Sequence, residues 1–400
     1  MLGAIYIGLS GMNAYSNGLK TISNNVANLD TLGYKSSTIS FSDVFGEPSP
    51  NLGYTSWQQG GSSGNGVRYD PERIDFTQGS FQQTGGALDF AVDGNGFLVV
   101  QNDTGDTFYT RTGQFSVDSK GYIVNQSGDR LTILDAANQP KVVNITSQMT
   151  NPPAATQNIT FSQNLSSSAT SADVPNVTVH DSRGTAHVWD VGLTPVASTS
   201  TSGTTTQWTV TVKDETGATI GTGTISFNSG ISVPGSSSIT VNTTPTGADA
   251  MAVTLDFSDV QSFSAGTTNT LQTSKVDGNA VGTLTSATVN SQGQLVLNYS
   301  NSQTTVLGSV AIANFRTPEQ LVRVGNGLFK NTATGEVQYV ASGGAGVGTL
   351  QTGQVEASNV NLTAEFGNLI LIQRGFDASS QVISATNDMI QQLFGMRGHG

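Results

Sequence analysis

The apolar residues near the start of the chain fall at Ile5, Leu9, Met12, Tyr15, Leu19, Ile22, Val26 and Leu29. Steps of three and four lay these side chains in one stripe along a helix. The spacing returns near the other end at Leu362, Phe366, Leu369, Ile372, Phe376, Ile383, Ile390 and Leu393, with Ser379 and Thr386 filling two turns. The pattern predicts a long helix at each end of the chain.

Between the stripes the period changes to two. "FLVVQ", "VTVHD", "QWTVTVKD", "QLVLNY" and "LGSVAIANF" are alternating or β-branched runs. The Asp, Asn and Gly of "DGNG", "DSRG", "DETG" and "NSQGQ" supply turns between them, with "DGNG" at Asp93–Gly96 read as a hairpin turn. From about Pro152 to about Gly282 the chain becomes rich in Ser and Thr and nearly free of Lys and Arg. This shift marks a separate β domain inserted into another. The expected organisation is a terminal helical domain (1–35 and 355–400), an irregular linker (36–66), an inner β domain (67–151 and 283–354) and an inserted outer β domain (152–282). The fold class is mainly β with terminal α-helices, discontinuous and multidomain.

The polar face of the first helix is unusual. Away from the stripe lie Ser10, Asn13, Asn17, Thr21, Asn24, Asn25 and Asn28, and Lys20 is the only charge before Asp30. Each Asn, Ser or Thr costs up to ~0.7 kcal/mol relative to Ala, so this helix is marginal alone in water. It needs neighbours on several sides. An ordinary helical hairpin packed on the β domain supplies some, and self-assembly through both termini supplies more; the uncharged polar face favours the second.

Composition narrows the function classes. Of 400 residues only 11% are charged, well below the ~25% of ordinary globular proteins. A net charge of -12 and a pI near 4.5 oppose binding to nucleic acid or an anionic membrane. Without cysteine there is neither a disulfide framework nor a thiolate metal site. No apolar run approaches the ~18 residues of a membrane span. The first basic residue is Lys20, so no basic segment precedes the apolar start and a cleaved secretory signal is not expected. The lysine-poor, Ser/Thr/Gly-rich make-up nevertheless resembles an exported surface protein, and an export route that needs no cleaved signal reconciles the two.

Candidate chemistry is sparse. His180 and His187 flank the "DSRG" turn and His399 stands near the end, but no carboxylate pair with ligand spacing joins them. "DGNG" echoes the start of a calcium loop, yet its twelfth position is Thr104 rather than Glu. "GGAGVG" at Gly343–Gly348 lacks phosphate-loop spacing and precedes a β-like run, so it reads as a flexible connection. The N-x-S/T triplets at Asn144, Asn158, Asn164, Asn176, Asn242, Asn298 and Asn361 are what a Ser/Thr-rich chain produces by chance. No Ser-His-Asp or paired-carboxylate arrangement is legible. No catalytic, cofactor or metal residues are assigned.

"SNNVANLDTLGYK", Ser23–Lys35, resembles the N-terminal signature of the bacterial flagellar rod, hook and hook-junction proteins, on Asn24, Asn25, Val26, Ala27, Asn28, Thr31, Gly33, Tyr34 and Lys35. "GQVEASNVNLTAEFGNLILIQRGFDASSQVISATNDMIQQL" resembles their C-terminal signature, on Glu356, Ser358, Asn359, Val360, Leu362, Gln373, Arg374 and Phe376. The β runs from Phe76 to Val100 and from Phe108 to Leu131 are similar to the region shared by rod and hook proteins. The insert is of the kind expected in a hook protein rather than the shorter distal rod proteins. The resemblance implies that the two terminal helices pair as a coiled-coil-like inner layer of a tube, with Leu9, Met12, Leu19, Ile22, Leu362, Phe366, Leu369, Phe376, Ile383, Ile390 and Leu393 packing it. It also implies a helical homopolymer outside the cell, rod, hook-cap and hook-filament junction proteins as partners, and a flagellar type III export apparatus as the route. Near Asn28 the asparagines are expected to bond local backbone and end the helix, and Gly33 to take the positive φ of the turn. The rival readings are a rod or junction subunit, and, in another class, an extracellular β-rich adhesin or fibre protein, which would leave both terminal signatures unexplained.

Overall fold

A computed structural model of the chain describes residues 2–45, 64–196, 205–245, 247–332, 337–344 and 346–397. Residues 46–63 of the predicted linker, Ala345 and His399 lie outside them. Within the rest of that linker the chain is not wholly irregular: Ser37–Thr38 and Phe41–Phe45 are strands, paired with Arg73–Ile74 and Gly64–Tyr69. Helices α1 (Leu2–Ala27) and α2 (Leu362–Arg397) begin and end the described chain. Leu29 falls in the turn beyond α1. Almost everything between is strand and turn, and the molecule is mainly β with its two terminal helices packed on one another.

The chain divides into two units. The first comprises Met1–Thr146, Ala287–Val296 and Val306–Gly400. Its largest sheet is built round Phe97–Gln101, whose Phe97, Leu98, Val99 and Val100 are all buried. A run apolar on both faces suits a central strand, and this one pairs with Thr107–Thr110, Arg130–Leu134 and Ile312–Asn314. Phe97, Val99, Tyr109, Leu321 and Phe329 form the core, and Phe76 meets Phe97 and Phe329 edge-on at 5.4 Å in both cases. Two further pairings join distant parts of the chain, Phe90–Asp93 with Thr349–Thr352 and Phe81–Gln83 with Gln354–Glu356.

The second unit comprises Ser147–Ser286 and Leu297–Thr305. Its nine-stranded sheet runs in the order Ala172–His180, Ala186–Pro195, Thr205–Lys213, Thr219–Asn228, Ile231–Ser232, Met251–Gln261, Asn158–Asn164, Gln272–Val276, with Ser238–Thr243 beside Met251–Gln261. Inward and outward residues alternate along most of its strands. Trp189, Val191 and Leu193 point inward, as do Trp208, Val210 and Val212 and then Val253, Leu255 and Phe257, while Thr, Ser and Asp take the other face. Within this unit Thr150 and Asn151 also pair with Thr283 and Gly282.

One turn chemistry recurs in both units. At Asn102, Asp118, Asn125, Asp135, Asp181, Asp214 and Asn290 the side-chain Oδ1 accepts the N–H groups two and four residues on, at 2.7–3.1 Å. The residue three on adopts positive φ and is Gly at every one of these except Asn138. An Asx side chain thus holds the turn while glycine takes its left-handed position. The "DSRG", "DETG" and "NSQGQ" predictions are of this kind. "DGNG" is not a hairpin turn: Phe90–Asp93 and Phe97–Gln101 lie in different sheets, and Gly96 N–H donates to Val347 O at 3.0 Å.

Candidate assembly site

Helices α1 and α2 run antiparallel along a seam of small residues. A Cβ on Gly8 would come within 2.7 Å of Ile383, one on Gly11 within 2.7 Å of Ser379 Oγ and one on Gly18 within 2.8 Å of Ile372. From the other side, a Cβ on Gly375 would come within 2.5 Å of the Tyr15 ring. Ala14 and Ile22 are buried in α1, as are Ile372 and Thr386 in α2. The seam therefore holds only part of the stripe of large apolar residues, Ile372 and Ile383 among them. Leu9 and Leu19 are exposed, as are Leu362, Phe366, Phe376 and Leu393; Met12, Leu369, Ile383 and Ile390 are half-buried. Tyr6, Ile7, Ile370, Leu371 and Phe394 are exposed too. The glycines let the two backbones approach closely around Tyr15, Ile372 and Ile383, and many of the other bulky side chains stay exposed.

At its C-terminal end α1 meets the start of α2 through polar side chains. Asn25, 1% exposed, donates to Ser37 O and Glu365 Oε1, both at 2.9 Å, and accepts from Ser37 N–H at 2.9 Å and Tyr34 Oη–H at 3.3 Å. Asn28 donates to Asn24 O at 2.8 Å and accepts from Thr31 Oγ1 at 3.1 Å. This competition with the helical backbone accompanies the end of the helix. Gly33, at φ 66°, donates its N–H to Glu356 O at 2.7 Å and lies so close to Arg111 and Thr112 that a Cβ would be 2.8 Å from Thr112 N. Here glycine is required twice, by conformation and by space. Ser36 N–H donates to Asn359 Oδ1 at 2.7 Å, and the Asn359 amide donates to Asp75 O and Thr77 O.

Below these lies a fully buried ionic cluster. Lys35 Nζ is 2.6 Å from Glu356 Oε1 and donates to Thr77 O at 2.7 Å. Arg111 Nη1 is 3.5 Å from Glu356 Oε2 and donates to Gly94 O at 2.8 Å, with its guanidinium over the Phe97 ring. Gly79 N–H adds a 2.8 Å bond to Glu356 Oε1. Burial pushes the Lys35 ammonium below its ordinary pKa, and the Glu356 carboxylate works against that shift. Burial likewise raises the Tyr34 hydroxyl, against the Arg323 guanidinium that lies over its ring.

The signature residues thus separate into two groups. Asn25, Gly33, Tyr34, Lys35, Glu356 and Asn359 meet in one network, and Val360 is buried nearby. Asn24, Ala27, Thr31, Gln373 and Arg374 are exposed, and Val26, Asn28 and Ser358 are half-buried. Sequence reasoning missed Arg111, Glu365 and the seam glycines. The glycines were visible as small residues three or seven apart at 8, 11 and 18; Arg111 gave no signal beyond being a rare charge. The chemistry available here is that of a structural joint. Among the described residues no three His, Cys, Asp or Glu are grouped to hold a metal. His187 Nε2 instead meets Asp181 Oδ2 at 3.2 Å; against its burial, backbone N–H groups and that imidazole hold the Asp181 carboxyl at about 2.

Three family models match the chain. The model for "Flagella basal body rod protein" matches residues 5–35, that for "Flagellar hook protein FlgE/F/G D1 domain" residues 91–173, and that for "Flagellar basal body rod FlgEFG protein C-terminal" residues 351–396. The flagellar hook protein FlgE of Salmonella typhimurium is 32% identical over 97% of this chain and 98% of that protein. FlgE of Borreliella burgdorferi is 27% identical over 98% and 99%. The crystal structure of Helicobacter pylori flagellar hook protein FlgE2 shares the fold at a TM-score of 0.51 and 12% identity, over 69% of this chain and 99% of that one. Matched from end to end by such relatives, and carrying both terminal signatures on one buried joint, the chain belongs to the flagellar hook protein family.

Proposed function

We propose that this chain polymerises into the curved tube of the flagellar hook and transmits torque from rod to filament while bending. The observation that carries the reading is the apolar surface left on the helix pair after its own seam is filled: Leu9, Leu19, Phe366, Leu371 and Phe394 stay exposed. Apolar side chains left exposed along a helix pair suit an interaction face, and further helix pairs of the same chain are the partners that fit it. In such a tube the uncharged Asn, Ser and Gln of the helices would face a channel without holding a passing chain electrostatically. Residues 152–282, farthest in sequence from both helices, would lie at the outer radius. By family, rod, hook-cap and junction proteins adjoin the polymer, which is extracellular and built from chains exported by a type III apparatus without a cleaved signal. Electron microscopy of purified protein tests the proposal: tubes with helical order are expected, and protein that stays monomeric under all polymerising conditions counts against it.

A further inference from the structure

The buried cluster at the helix joint takes its carboxylate from the far end of the chain. Lys35 and Glu356 are separated by 321 residues and Arg111 and Glu356 by 245, yet the three side chains are at most 1% exposed. Two cations share one anion, and Arg111 Nε has no hydrogen-bond partner. Asp75 attracts Lys35 more weakly than Glu356 does, and Arg323, which donates to Lys35 O, adds positive charge. The cluster has no negative charge to spare.

We infer that Glu356 is the key of a charge gate: Gly33–Ser37 and the end of α1 dock on the β sheet only when residue 356 has entered the cluster. Docking without it would strand an ammonium beside a guanidinium in an interior that neutralises neither, whereas the undocked segment keeps Lys35 in water. The segment that brings Glu356 also brings the backbone partners, since Glu356 O accepts from Gly33 and Asn359 N–H donates to Tyr34 O at 3.3 Å. The second unit has no such requirement, because its core from Ile159 to Val260 comes from one continuous stretch. The N-terminal helix is therefore held back until the C-terminal signature is in place, and the helix pair forms last. This gate goes beyond the polymer reading and is independent of it.

Hydrogen exchange read by mass spectrometry on the full chain tests the gate. Glu356→Gln keeps the volume and removes the charge. Protection of residues 21–37 is expected to fall by about 10²- to 10³-fold, while residues 205–228 of the second unit keep theirs. The double variant Lys35→Met with Glu356→Gln, which removes one stranded cation, is expected to recover at least about tenfold of that loss. Undiminished protection in Glu356→Gln would overturn the inference. So would a double variant no better than the single one, since shape rather than charge would then govern docking, and so would loss of protection in the second unit as well.

Discussion

Asn25 is a poor helix former by propensity, yet all its side-chain hydrogen-bonding capacity is matched inside the protein by Ser37, Tyr34 and Glu365. A signature that looks wasteful along the sequence is economical in space, because one amide holds two chain ends and a strand. Its partner Glu365 carries a testable consequence. Burial raises the Glu365 carboxyl above its ordinary pKa, and the Asn25 amide only partly opposes this. As pH rises through the ordinary carboxylate range the unfolded chain ionises first, so the folded state loses stability until the folded group has ionised too. Glu365→Gln keeps an acceptor for Asn25 and cannot ionise. Melting temperatures from about pH 4 to 7 are expected to show the variant gaining on the parent as pH rises. A constant difference between the two would mean that this carboxyl is not the source of the dependence.

At the scale of elements, the helices were legible and their buried face was not. A period of three to four identifies a helix whatever covers it, but assigning the large residues to the seam assumes that the seam is where large residues go. Gly8, Gly11 and Gly18 qualify that assumption, and the stripe divides into buried or seam members such as Ile22, Ile372 and Ile383 and outward members such as Leu19. The two kinds answer differently to a charge. Leu19→Asp is expected to leave the circular dichroism of the monomer unchanged and to abolish sedimenting polymer. Ile22→Asp, which buries a charge, is expected to cost the first unit ~3–5 kcal/mol of stability in monomer melts. Polymer formed normally by Leu19→Asp would remove the outer face from the assembly contacts. The Asx turns were legible because a side chain reaches only its own next four residues. The role of "DGNG" was not, since the partner of Gly96 is Val347, and no local pattern announces a strand from the far end of the chain. Arg111 was hidden for the same reason: its carboxylate is Glu356.

In the whole molecule, Thr150–Asn151 and Gly282–Thr283 are paired strands of the second unit, with Asn151 directly opposite Gly282. Cα atoms so paired lie ~4.5–5.5 Å apart, a gap that a two-residue turn closes. Replacing residues 152–281 by Asn-Gly is therefore expected to leave the first unit folded and still polymerising. Straighter tubes in electron micrographs are expected if residues 152–281 make weak, water-exchangeable contacts between neighbouring subunits. Loss of all polymer with the first unit intact would make the insert an essential assembly contact instead. The same pairing has a consequence for descent. A segment that starts and ends at one pair of facing residues, as 152–281 does, can lengthen, shrink or be exchanged for another without shifting the register of that pair, so its length is free to drift. The joint drawn from Gly33–Ser37, Arg111 and Glu356–Glu365 has no such freedom, because every change there must be answered by a second one hundreds of codons away.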